Sequence, residues 1–184
     1  MYSTGRHGSD IFAPATTLGA IGLAIHPAMT FTGLSLDLQR LTGTSFAVTG
    51  PAPFIPIAQA LVVEMGGEPF EIAEEDRGVY HAALNHGANF LTTVVAQSKQ
   101  ILSTVGIEDP GTFLRPLCEA ALDRALRAGD RGVSGPIPRG DVGTIREHLS
   151  VLETKAKEEN LAGEGQWAHR LEDARSTYAA MTLH

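Results

Sequence analysis

Three short, β-prone apolar runs end near Ile25, Val48 and Ile72, spaced 23 and 24 residues apart, and predict strands over 20–25, 44–49 and 68–73. Between the second and third, Ile57, Leu61, Val62 and Met65 recur at helical spacing within Pro53 to Met65, and Gly66-Gly67 supplies a stop. That pattern predicts a strand–helix–strand unit. Ahead of the first run, Asp10 to Leu18 reads as a helix, provided Pro14 lies near its start.

The pattern changes near residue 74. Phe90, Leu91, Val94, Val95, Ile101, Leu102 and Val105 form an i, i+1, i+4, i+5 stripe that a long helix over 75–105 explains economically, with Gly106 ending it. A second helix is predicted from about Pro110 to Leu126, with Phe113, Leu117 and Ala121 in one row, Leu114, Cys118, Leu122 and Ala125 beside it, and Gly129 as its stop. A third begins at the N-cap Asp141 and places Val142, Ile145, Leu149, Leu152 and Ala156 at alternating spacings of three and four. The fourth, from roughly Gln166, carries Trp167, Leu171, Ala174, Tyr178 and Met181. The stripes of the last two are narrow and suit either packing within the chain or a dimer seam. The expected fold is α/β over residues 1–73 followed by an all-α segment over 74–184.

Composition narrows the function classes. The 184 residues are 43% hydrophobic and 19% charged, which predicts a soluble globular protein. No apolar run approaches the roughly 18 residues of a membrane span, so no membrane partner is expected. With 14 basic and 21 acidic residues the formal charge is −7, the wrong sign for a general nucleic-acid binder. One cysteine, Cys118, rules out an intrachain disulfide and a multi-cysteine metal site. The first residues lack the charged-then-apolar layout of a signal peptide, which makes a cytoplasmic location the default expectation.

Three constellations carry candidate chemistry. His26-Pro27 follows the first predicted strand, and ligands of open α/β sheets sit outside the carboxyl ends of strands, where a histidine can exchange a proton. The competing reading is a loop histidine before a strand-ending proline. Tyr80-His81, Asn85 and Asn89 lie on the long predicted helix, the last three at i, i+4, i+8 along one face. They read either as a polar strip orienting a substrate carbonyl or carboxylate, or as a solvated face or an interhelical hydrogen-bond ladder. Ser134 to Asp141 is a Gly/Pro-rich loop running into a capped helix beside Arg139, a sensible carboxylate receptor or else a rigid connector in which Arg139 pairs with Asp141.

Other patterns carry less. Gly163 to Ala168 fits G-x-G-x-x-A but has no strand before it and holds Glu164 where a pyrophosphate would approach; Gly5 and Gly8 also lack a preceding strand. The histidines show no metal-ligand spacing with carboxylates, and Cys118 sits in an apolar row, so neither a metal nor a thiol nucleophile is expected.

Ser3 to Gly8, Ala24 to Phe31, the Tyr80-His81-Ala82-Ala83 to Asn89-Phe90-Leu91 run, and Gly135 to Asp141 followed by His148-Leu149 together resemble the Rossmann-like NAD(P)-dependent oxidoreductases with a DUF2520 C-terminal domain. That family is part of the wider 6-phosphogluconate-dehydrogenase-like group. The resemblance implies the distal part of a Rossmann-like domain over 1–73 and a helical substrate and dimerisation domain over 74–184. It implies NAD or NADP as cofactor, a small carboxylate-bearing carbonyl or imine as substrate, and a homodimer. His26-Pro27 is similar to the catalytic His-Pro step of prephenate dehydrogenases, so His26 or His81 would exchange the proton and Asn85 and Asn89 would orient the reacting group. Thr30, Tyr80, Arg139 and Asp141 would contact substrate. The row 81, 85, 89 has no lysine, which related enzymes often place there; Arg77 and His81 are the nearest basic groups. Family members also carry roughly a hundred residues before the equivalent of Tyr2, including the first strand and the glycine fingerprint. The resemblance therefore implies a distal part that by itself is inactive and binds a dinucleotide weakly. The alternative is a non-catalytic dimerising or metabolite-binding module.

Overall fold

A computed structural model describes residues 3–161, 173–176 and 179–180, and divides into two compact units, Met1–Asn89 and Phe90–His184. The first holds a three-stranded sheet in the order β1 (Ala24–Pro27), β2 (Ser45–Thr49), β3 (Glu68–Glu71). Helix α1 (Ala13–Thr16), preceded by a 3-10 turn at Asp10–Phe12, is shorter than the predicted 10–18 helix, with Pro14 in its first turn. Helix α2 (Leu36–Leu41) was not predicted, because it has too few turns to show a period. Asp37 holds its entrance by accepting bonds from Thr32 N, Thr32 Oγ1 and Gly33 N.

Strands β2 and β3 are parallel, joined by helix α3 (Ile55–Glu64), as a strand–helix–strand unit requires. The face α3 buries is Ile55, Ala58 and Val62, whereas Ile57, Leu61 and Met65 of the predicted stripe are exposed. Strand β1 differs from expectation in two ways. It begins later, so that His26 and Pro27 lie within it, and it runs antiparallel to β2, pairing His26 with Ala47. His26 is therefore not at a carboxyl edge shared with the parallel strands.

Strand alternation explains what His26 faces instead. Residues paired directly across an antiparallel ladder point to one side, so Ile25, Phe46 and Val48 share a face and Ala24, His26, Ala47 and Thr49 share the other. The first face packs on Ile55, Ala58 and Val62 to make the core, which at about 25 cal/mol per Å² of apolar surface is the main stabilisation of this unit. The second receives the start of helix α4 (Arg77–Ser103), whose Arg77 bonds Thr49, Ala24 and Ala47.

Beyond Asn89 the structure is helical. Helix α4 continues to Ser103 and a turn closes at Gly106, whose φ is +85°. Helix α5 (Pro110–Ala128) starts with Pro110 in its first turn, capped by Asp109 on Thr112 N, and ends at Gly129. Of its predicted rows Leu114 is buried, while Phe113 and Leu117 are exposed, as are Phe90, Leu91 and Val94 of α4. Helix α6 (Val142–Leu161) begins after Asp141, whose carboxylate takes Thr144 N at 3.1 Å. The predicted fourth helix from Gln166 falls largely outside the described residues.

Candidate functional site

The first two turns of α4 bring Arg77, Tyr80 and His81 toward the His26 face of the sheet. Tyr80 Oη lies 2.8 Å from His26 Nδ1, with the two rings edge-on at 86°. A phenol both donates and accepts, so it can partner this nitrogen in either tautomer. His26 Nε2 is then the ring nitrogen left for a ligand. Burial, then the Arg77 cation, then His81 hold His26 below its usual range, which keeps the neutral ring as the resting form. Burial raises Tyr80 despite the opposing Arg77 charge, so the phenol keeps its proton.

His81, Asn85 and Asn89 form a ladder along α4. The Asn85 amide nitrogen donates to His81 O at 2.9 Å and sits 3.0 Å from His81 Nε2, while the Asn89 amide nitrogen donates to Asn85 Oδ1 at 3.3 Å. With the Asn85 amide nitrogen as donor, His81 Nε2 is the acceptor of this contact. The ladder runs within one helix rather than between helices, and its Asn85 and Asn89 side chains are exposed.

These groups line one cleft of about 520 Å³, together with Thr30, Ala28, Met29 and Leu84. The volume suits a small metabolite. Gly5, counted as uninformative in the sequence, is buried against the two histidines: a Cβ there would lie 2.9 Å from His81 Cδ2 and 3.1 Å from His26 Cε1. Glu74 anchors the same segment by accepting from Ser9 N at 2.8 Å and Ser9 Oγ at 3.2 Å. No period in the sequence marks these contacts, since they join residues far apart along the chain: Gly5 with His26 and His81, and Ser9 with Glu74.

Arg139 and Asp141 belong to the second unit. Arg139 is exposed on the loop where Gly135 and Gly140 adopt positive φ, and the Asp141 carboxylate is engaged by both Thr144 N and Thr144 Oγ1. Among the described residues no group of three or more His, Cys, Asp or Glu could hold a metal ion. No helix among them is long and apolar enough to cross a membrane.

A dinucleotide needs a strand, a turn of free N–H groups and a helix N-terminus to hold its pyrophosphate. The matching junction here, from β2 into α3, reads Gly50-Pro51-Ala52-Pro53-Phe54-Ile55-Pro56. Three prolines remove three donors, and a Cβ at its one glycine would lie 2.7 Å from Leu23 Cδ2, so the turn is already filled. With three of its seven residues lacking an N–H, this junction does not fit the pyrophosphate of NAD or NADP.

A partial Rossmann-like sheet leading into a helical segment is the class this fold defines. The chain belongs to the DUF2520 family, described as a domain of unknown function, whose model matches residues 44–163. No curated protein matches it. Among solved structures it is similar to protein TM1727 from Thermotoga maritima, with a TM-score of 0.66 and 23% identity over 97% of this chain and 68% of that one. It is also similar to "putative NADP oxidoreductase BF3122" from Bacteroides fragilis, with a TM-score of 0.68 and 15% identity over 95% of this chain and 63% of that one. The likeness at these identities is one of fold, and the chain spans about two thirds of each neighbour's length.

Proposed function

We propose that the His26 cleft is the substrate site of an NAD(P)-dependent oxidoreductase acting on a small carboxylate-bearing carbonyl or imine. The observation that carries this reading is that His26, its ring held from behind by Tyr80, lines one cleft with the Asn85–Asn89 ladder, while Tyr80 itself is not among the lining residues. The similarity in fold to a protein named as an NADP oxidoreductase supports it. In the oxidative direction the neutral His26 Nε2 accepts the proton of a substrate hydroxyl or amine. In the reductive direction the imidazolium returns it. The Asn85 and Asn89 side chains orient the reacting oxygen or nitrogen, and Thr30 supplies a hydroxyl at the wall. Hydride transfer would be the nicotinamide's chemistry. Arg139 is the proposed carboxylate receptor of the second unit, and the exposed apolar side chains of α5 are proposed to serve a homodimer.

Pyruvate, the simplest probe carrying both carbonyl and carboxylate, tests the site by nuclear magnetic resonance on the isotope-labelled chain. The expected result is saturable movement of the Asn85 and Asn89 side-chain amides and of the His26 ring signals. Movement confined to other residues would overturn the reading.

A second reading, a metabolite-binding module without dinucleotide chemistry of its own, draws on the proline-filled β2–α3 turn. NADPH titrated against this chain tests the second reading in one direction. Weak or absent binding alongside pyruvate binding fits both a substrate portion and a module, whereas tight NADPH binding would exclude the module.

A further inference from the structure

Arg77 is 1% exposed, yet among the described residues it forms no ion pair. Its Nε donates to Thr49 Oγ1 at 2.8 Å, and its Nη2 donates to Ala24 O at 2.9 Å and Ala47 O at 3.2 Å. Nη1 is buried without a partner. Glu74 acts on Arg77 through its charge alone, and a buried cation whose hydrogen bonds all go to neutral oxygens, with Nη1 unsatisfied, is a costly way to brace a sheet. Its placement accounts for it better than bracing does. The two carbonyls belong to Ala47, the residue paired with His26, and to Ala24, two positions before His26 on the same face. The guanidinium carbon lies 5.8 Å from the centroid of the Tyr80 ring, the ring whose hydroxyl engages His26 Nδ1.

We infer that Arg77 is a positioning residue for His26, fixing the strand pair beneath that histidine and the tyrosine that holds its ring, so that Nε2 is presented to the cleft. This rests on the reading of His26 as the proton-exchanging group. The charged and titratable groups acting on the His26 ring are Arg77 and His81 of α4, with Tyr80 of the same helix bonded to Nδ1 and the uncharged Gly5 packed against the ring from the N-terminal segment. Of these, Arg77 is the cation whose charge acts on His26 most strongly. Both consequences of Arg77, orientation and field, are readable at His26 without any ligand.

The test is a pH titration of the His26 Cε1–H signal in the full chain, for wild type, Arg77→Lys and Arg77→Met, with thermal melts in parallel. Arg77→Met removes the like charge, so the His26 midpoint moves upward. Arg77→Lys keeps a charge but cannot span both carbonyls and Thr49, so the midpoint stays nearer wild type while the His26 ring and Tyr80 signals move. If either folded variant melts earlier but leaves His26 titration and ring signals as in wild type, Arg77 is only a brace and the inference is overturned. Should Arg77→Met not fold, Arg77→Lys decides alone: unmoved His26 signals overturn it and moved ones support it. Failure of pyruvate to bind would overturn the substrate reading without touching this result.

Discussion

Tyr80 Oη and His26 Nδ1 lie 2.8 Å apart, joining the first turn of α4 to the middle of β1 across 54 residues of chain. The contact commits Nδ1 of the imidazole and leaves Nε2 outside that bond, on the side where a Cβ at Gly5 would lie 3.2 Å away. Tyr80→Phe removes it with little change in volume. The melt should fall by the equivalent of about 1 kcal/mol, the ordinary net worth of one hydrogen bond. Pyruvate affinity should fall as well, and calorimetry on both proteins checks it.

The pH dependence of stability follows from the lowered His26 value. Between that value and the usual 6.5, the unfolded chain holds a proton at His26 that the folded protein does not. His26 therefore contributes stability that is fully present above pH 6.5 and is lost as pH falls through 6.5 toward the folded value. Melting temperatures of wild type and His26→Gln across this range should show a steeper acid-side decline in wild type. Parallel curves would contradict the burial and charge effects described.

Gly5→Ala places a methyl 2.9 Å from His81 Cδ2 and 3.1 Å from His26 Cε1. The segment or the rings must shift, at roughly 1–3 kcal/mol as for other overpacked sites. Both histidine ring signals should move with the melt. Gly78→Ala, in α4 with open space at its Cβ, is the matched control and should leave stability unchanged or raise it by up to about 1 kcal/mol.

Asp141 separates capping from ligand binding. Its carboxylate is already engaged by Thr144 N and Oγ1, and Asn caps as well as Asp does. Asp141→Asn should leave the melt near wild type, whereas Asp141→Ala should lower it. A loss of carboxylate binding in Asp141→Asn at unchanged stability would instead assign Asp141 a direct role with substrate.

Much of this was legible in the sequence because it repeats with a period. The α4 row His81, Asn85, Asn89, the stops at Gly106 and Gly129, and the Asp141 cap all follow from helical spacing and termini. The direction of β1 was not legible, since a short strand reads the same parallel or antiparallel. The buried face of α3 was misjudged because Ile57 and Leu61 are as apolar as Ile55 and Val62, and only the sheet decides which side is covered. Arg77 and Gly5 act through contacts with β1 and His26 that no local pattern encodes.

The most direct test of the central claim is a crystal structure of the chain with pyruvate. The account predicts its carbonyl oxygen within hydrogen-bond distance of His26 Nε2, facing the exposed amides of Asn85 and Asn89, with Tyr80 still on Nδ1. Pyruvate bound elsewhere, or in this cleft with its carbonyl turned away from His26, would contradict it.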